Sequence, residues 1–158
     1  MSACFIGHRK IKKTEQLISS LKMVVQNLIN KGVTTFLFGS ISDFDKLSYD
    51  IVTNFKAKHP EITRVYVRSS YQHIDKSYEN YLLNSYEKTY FPKQIENAGK
   101  YSYIERNCEM IDNAKYCVFY YDENYTTEQI GAFKRKSGTK FAFEYAVKKK
   151  KEIINLYN

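Results

Sequence analysis

The sequence predicts an α/β fold of the Rossmann-like kind, a three-layer sandwich whose mainly parallel, doubly wound sheet carries helices on both faces. Three observations predict it. Short apolar runs alternate with amphipathic segments of ten or more residues, the pattern of right-handed βαβ crossovers. Several runs end in turn residues such as Gly7 and Gly39-Ser40. Finally, 158 residues with 43% hydrophobic and 27% charged side chains, and only 6 Gly and 2 Pro, describe one packed domain over 1–158. A domain of that size buries about 70% of its unfolded surface.

Ala3 to Ile6 is the first apolar run and reads as a strand. Thr14 to Lys31 places Leu17, Ile18, Leu21, Val24, Val25, Leu28 and Ile29 at helical spacing, and Gly32 closes it. Val33 to Phe38 is the second strand. Leu47, Ile51, Val52 and Phe55 mark the second helix, which His59-Pro60 terminates. Arg64 to Arg68 is the third strand, with Val65 and Val67 on one face. A Tyr-rich stretch from Ser69 to Lys100 follows, helical around Asp75 to Ser85. Ser102-Tyr-Ile-Glu105 reads as a capping box that opens a helix through Ile104, Cys108 and Ile111. Tyr116 to Tyr121 is the fourth strand, apolar enough for burial on both faces. Ser137-Gly-Thr139 opens a last helix with Phe141, Ala142, Tyr145 and Ala146 inward, and Ile153 to Tyr157 is a fifth strand.

Several function classes are set aside by composition. Cys4, Cys108 and Cys117 are odd in number and lack CxxC spacing, so they predict free buried thiols, neither a disulfide framework nor a zinc site. His8, His59 and His73 fit no metal-binding spacing, and no metal is expected. No apolar stretch approaches the roughly 20 residues that span a bilayer, and Met1 to Phe5 have no leader character, so a cytoplasmic protein is expected. The charge is uneven: 25 Lys+Arg stand against 17 Asp+Glu, a net +8, and Lys134 to Lys151 holds eight basic residues and the single acid Glu144. Such a concentration binds nucleic acid, attracts a phosphorylated small molecule, or forms the solvated end of a helix, as Lys148 to Lys151 suggest.

Ligands of open parallel sheets bind beyond the carboxyl ends of the strands, at the switch point of strand order. The residues there carry the candidate chemistry. Gly7-His8-Arg9 combines a tight turn with an arginine able to grip a phosphate through its fork. Gly39-Ser40 and Arg68-Ser69-Ser70 follow the second and third strands, and Asp122-Glu123 the fourth. Lys134-Arg-Lys-Ser-Gly-Thr-Lys140 surrounds a helix N-terminus, where unpaired N–H groups favour an anion, although no Walker A loop is present. Tyr66, Tyr71, Tyr78, Tyr81, Tyr86, Tyr90, Tyr101 and Tyr103 belong to the 15 tyrosines of the chain. They either pack ordinarily or wall a pocket that stacks on a base.

Cys4-Phe-Ile-Gly-His-Arg9, Phe38-Gly-Ser40, Arg64 to Gln72, Ser102-Tyr-Ile-Glu-Arg-Asn107 and Ser137-Gly-Thr-Lys140 together resemble the YpsA-like proteins, a bacterial and prophage-borne group within the SLOG superfamily. The superfamily also includes the LOG phosphoribohydrolases, the DNA-processing protein DprA and sensors of NAD-derived signals. Glu105 and Arg106 match the acid and arginine of the first LOG motif, and Ser137, Gly138 and Thr139 the end of the second. Where the LOG pattern has its catalytic glutamate this chain has Ala142, and Glu144, two positions on, is turned about 200° away on a helix. Without that carboxylate an oxocarbenium-like transition state loses its stabilising partner.

The resemblance therefore implies binding of a phosphorylated nucleotide or an NAD- or ADP-ribose-derived molecule, by a sensor or sequestering protein that needs no cofactor and assembles at least as a dimer. Gly7, His8, Arg9, Gly39, Ser40, Arg68, Glu105, Arg106, Ser137, Gly138 and Thr139 are its expected ligand contacts. The alternatives are a LOG-type N-glycosidase borrowing Glu105, Asp122 or Glu123, and a nucleic-acid-binding adaptor using the basic C-terminal helix.

Overall fold

The computed structural model describes residues 1–39, 41–125 and 137–157. In chain order its strands are β1 (Ser2–Gly7), β2 (Thr35–Phe38), β3 (Thr63–Val67), β4 (Lys88–Tyr90), β5 (Tyr116–Tyr120) and β6 (Glu152–Asn155). The helices are α1 (Glu15–Asn30), α2 (Asp43–Lys56), α3 (Lys76–Leu83), α4 (Ser102–Asn113) and α5 (Gly138–Lys148). The strands form one sheet in the order β4-β3-β2-β1-β5-β6, and every pairing is parallel. This is the doubly wound three-layer sandwich that the alternation of periods predicts. None of the described helices is long and apolar enough to cross a membrane.

Alternation along the inner strands sorts side chains onto two cores. Ala3, Phe5, Phe36, Phe38 and Val118 face α1 and α2, meeting Leu21, Val25, Leu28, Phe44, Ile51 and Val52. Phe5 sits between Phe36 and Phe38, ring centroids 6.0 and 5.4 Å away. Cys4, Ile6, Leu37, Cys117 and Phe119 face α4 and α5, meeting Met110, Ile111, Ala142 and Ala146. Ala3 to Ile6 and Tyr116 to Phe119 are buried throughout, because β1 and β5 are paired on both edges and covered on both faces. The edge strands β4 and β6 are short and partly exposed, which leaves little unpaired backbone to invite further pairing.

Three details differ from the sequence expectation. The sheet has a sixth strand, β4, inside the Tyr-rich stretch; with three residues it has too few positions to show a period, and it exists because Val65, Tyr66 and Val67 lie beside Lys88, Thr89 and Tyr90. Ser102 and Glu105 do not form a capping box. A 3₁₀ turn, Gly99–Tyr101, runs directly into α4, Ser102 is already helical, and no side chain caps the helix. The basic C-terminus has structural work: Lys149 pairs with Asp112 at 3.4 Å, and Lys151 Nζ donates to the Asp112 and Ala114 carbonyls at 2.9 and 3.0 Å. Those cations sit at the negative end of α4.

Gly7, the last residue of β1, shows how tightly α2 packs. A Cβ there would lie 2.5–2.6 Å from the side chain of Phe44, which is fully buried. Gly7→Ala is expected to cost about 1–3 kcal/mol by overpacking. Urea unfolding checks this, and in a Phe44→Leu background the same substitution should cost clearly less.

Candidate functional site

The strand order reverses between β1 and β5, so the connections leave their carboxyl ends toward opposite faces and open a crevice there. Because all strands are parallel, α2, α4 and α5 begin at that same edge. Every described candidate from the sequence lies on it: Gly7, His8 and Arg9 follow β1, Gly39 follows β2, Arg68 follows β3, Glu105 and Arg106 lie in the first turns of α4, and Ser137, Gly138 and Thr139 open α5. Ser40 and the basic residues Lys134, Arg135 and Lys136 are outside the described residues.

The edge is organised around a buried cation. Arg106 is 4% exposed and reaches across the ends of β2 and β3. Its Nε donates to Asn107 Oδ1 at 2.9 Å and its Nη1 to the Val67 carbonyl at 3.4 Å. Gly39 lies directly over it: a Cβ there would stand 2.6 Å from Arg106 Cδ and 2.8 Å from Nε and Nη1. Asp45, also buried, accepts from the Gly39 N–H at 3.4 Å, while Ser42 Oγ accepts from the Asp45 N–H at 3.0 Å. Burial pushes the Arg106 pKa down, and the negative charge of Asp45 acts in the opposite direction. The guanidinium thus shapes the Gly39 turn. Arg68 is likewise committed, its Nη1 donating to the Tyr71 and Gln72 carbonyls at 2.8 and 3.4 Å. Arg9 is exposed, and its carbonyl accepts from the Asp43 N–H at 2.9 Å.

His8 fills the crevice between β1 and β5. It is 1% exposed, its ring stacks on Tyr125 at 3.8 Å, and its Nε2 accepts from the Asp122 N–H at 2.9 Å. Nε2 also lies 3.2 Å from the Asp122 carbonyl, while Nδ1 is buried and has no hydrogen-bond partner among the described residues. Burial lowers the His8 pKa, and the Asp122 carbonyl opposes that shift. The ring therefore latches the two strand ends while remaining neutral.

Ser137 caps α5 by accepting from the Lys140 N–H at 3.1 Å, and Thr139 is buried behind it. The first turns of α1, α2, α3 and α4 carry Glu15, Asp43 with Asp45, Glu79 and Glu105, whereas that of α5 carries no acid. The first turn of α5 thus adds no carboxylate to the positive end of its dipole. Ala142 is fully buried against the sheet and Glu144 is exposed. Glu105 is half-buried beside Cys108, whose pKa burial raises to about 11 with further contributions from Glu105 and Asp112.

Sequence reasoning missed Asp45 and Tyr49. A buried aspartate whose charge acts on an arginine distant in sequence has no local pattern, and Tyr49 stands apart from the Tyr-rich stretch it joins in space. Among the described residues no group of three or more His, Cys, Asp or Glu side chains is arranged to hold a metal. No protein-family model matches the sequence, and no curated protein does either.

The histidine latch predicts a pH dependence. A base whose folded pKa is lowered binds fewer protons folded than unfolded, so its stabilising contribution is full above the unfolded value of about 6.5 and falls as the pH drops through that value toward the folded one. Urea midpoints measured from pH 8 to pH 5 should decline over that range, and His8→Gln should flatten the decline.

Proposed function

We propose that the protein binds a phosphorylated nucleotide, or an NAD- or ADP-ribose-derived molecule, at the C-terminal edge of its sheet, and acts by sensing or sequestering it. This is what the resemblance to the YpsA-like proteins of the SLOG superfamily implies, and self-association at least into a dimer belongs to the same reading. One observation supports it above the others: the acid-free N-terminus of α5 opens on the edge where β1 and β5 diverge. Its N–H groups and the Ser137 hydroxyl supply donors suited to a phosphate, with Thr139 buried behind them. Arg9 is exposed at that edge, and Arg106 holds the Gly39 turn in shape from beneath.

Binding without hydrolysis is the better fit. Ala142 stands where the LOG pattern has its catalytic carboxylate, and its full burial against the sheet leaves that turn of α5 nothing with which to stabilise a developing oxocarbenium ion. The basic residues Lys149 and Lys151 are engaged with the end of α4, at the opposite edge of the sheet, which weighs against a nucleic-acid surface there.

The test is equilibrium dialysis against ADP-ribose, AMP and NAD, followed by denaturation and mass spectrometry of the bound and free pools. Intact ligand in the bound pool is the expected result, and free base accumulating outside would replace binding by hydrolysis. Gly138→Glu separates binding from folding. Its carboxylate adds about 0.3–1 kcal/mol of favourable interaction with the α5 dipole. The neighbouring Tyr103 ring is 46% exposed and has room to move aside. The variant should fold as well as the parent and bind the phosphorylated ligand at least about tenfold more weakly, the equivalent of ~1.4 kcal/mol. Unchanged affinity would remove α5 from the site.

A further inference from the structure

Beside this edge, between α2 and α3, lies a cleft of about 490 Å³ whose walls include Tyr49, Tyr66, Tyr78, Tyr81 and Tyr86. The volume is within the range of small-molecule sites. Its floor is rigid. Tyr86 packs against Tyr49 and Tyr66 at ring centroid distances of 5.0 and 5.2 Å, and Phe38 supports Tyr49 and Tyr86 from the core at 5.6 and 6.1 Å. Tyr49 is fixed further by its hydroxyl, which donates to the Ser85 carbonyl at 2.6 Å and accepts from Arg64 Nη1 at 3.1 Å. The rim is open: Tyr78 and Tyr81 stack on one another at 6.1 Å along α3, and Tyr81 remains 69% exposed.

We infer that this cleft receives the heteroaromatic base of a nucleotide whose phosphates lie along the sheet edge; the inference rests on the function proposed above. The wall chemistry selects a planar ring. Five phenol faces offer stacking, which tolerates any base, while aliphatic lining is confined to Ile41 and Leu82. The hydroxyls of Tyr66 and Tyr86 make no hydrogen bond among the described residues, which leaves two donors for ring nitrogens or a carbonyl. Burial raises the pKa of both phenols and keeps them protonated, hence donors, at neutral pH.

Position then selects the ligand class. Tyr66 is on β3, and the α5 N-terminus follows β5, three strands away in the order β3-β2-β1-β5. At about 4.8 Å per strand their separation within the sheet alone is roughly 14 Å, and the cleft opens on the α2 face whereas α5 covers the other. A mononucleotide, with one ribose and one phosphate beyond its base, does not span that. A ligand that serves both also has to pass over the sheet edge, so it is at least as long as a nucleoside diphosphate carrying a second sugar, as in ADP-ribose.

The experiment uses the intact protein with three probes: adenosine, ribose 5-phosphate and ADP-ribose. Adenosine binding is read by saturation-transfer NMR on the base protons, and affinities of all three by dialysis. The expected results are a loss of about tenfold or more in adenosine affinity for Tyr81→Ala, retention in Tyr81→Phe, and no effect of Gly138→Glu. Ribose 5-phosphate should respond to Gly138→Glu alone, and ADP-ribose should bind most tightly and respond to both. An unchanged circular dichroism spectrum for Tyr81→Ala ties the loss to the cleft. If adenosine fails to bind, or ignores Tyr81, while ADP-ribose still weakens in Gly138→Glu, the base site is overturned and the edge site stands. If adenosine binding depends on Tyr81 but ADP-ribose binds no more tightly and ignores Gly138→Glu, the edge reading falls, and with it the two-ended ligand. If Tyr81→Ala dissociates a dimer and leaves adenosine binding untouched, the cleft is a contact between copies and the inference is overturned.

Discussion

The structure depends on the burial of β1. This strand is hydrogen-bonded on both edges, to β2 and β5, and covered on both faces, by α1 and α2 on one side and α4 and α5 on the other. A strand in that position has nowhere to place a polar side chain, and Ala3 to Ile6 contain none. Its neighbours inherit the constraint. Right-handed crossovers carry the chain away from β1 toward β4 in the first half and away from it toward β6 in the second. The crevice at the carboxyl ends of β1 and β5 follows from that reversal of direction.

Closing the crevice requires polar groups in a place with little water, and two side chains meet that requirement differently. His8 remains neutral, holds the Asp122 backbone and stacks on Tyr125, so the strand ends are latched without a buried charge. Arg106 carries its charge inside. A guanidinium tolerates this because its high intrinsic pKa keeps it protonated and its fork distributes hydrogen bonds to Asn107 and Val67. Asp45 supplies the compensating charge nearby. The bare backbone of Gly39 is what lets the guanidinium come so close.

The same edge therefore has two kinds of surface. Around β2 and β3 its arginines are engaged with the protein's own carbonyls and the Asn107 amide oxygen, and the space beyond them is lined by phenol rings. Around β1 and β5 the edge carries the exposed Arg9 and the start of α5, whose first turn has no acid. The proposed ligand, with an anion at one end and a flat ring at the other, would meet one of these surfaces with each.

Much of this was legible in the sequence, because helical and strand periods are local properties. The spacing of Leu17, Leu21, Val25 and Leu28, or the unbroken run Tyr116 to Phe119, needs no knowledge of the rest of the chain, and neither does the prediction that turn residues after parallel strands gather at one edge. The tertiary structure decided what depends on contacts between distant segments. It made a strand of Lys88–Tyr90 by pairing it with β3, and it replaced the Ser102–Glu105 capping box by a 3₁₀ turn that leads directly into α4. It also assigned the neighbours of the two site glycines: the empty space at Gly7 belongs to Phe44 and that at Gly39 to Arg106. Tyr49 and Tyr86 became walls of one cleft only when α2 and α3 docked on the same face of the sheet. Local period determines which segments form; which side chains meet is determined by how those segments bury one another, and no spacing along the chain encodes that.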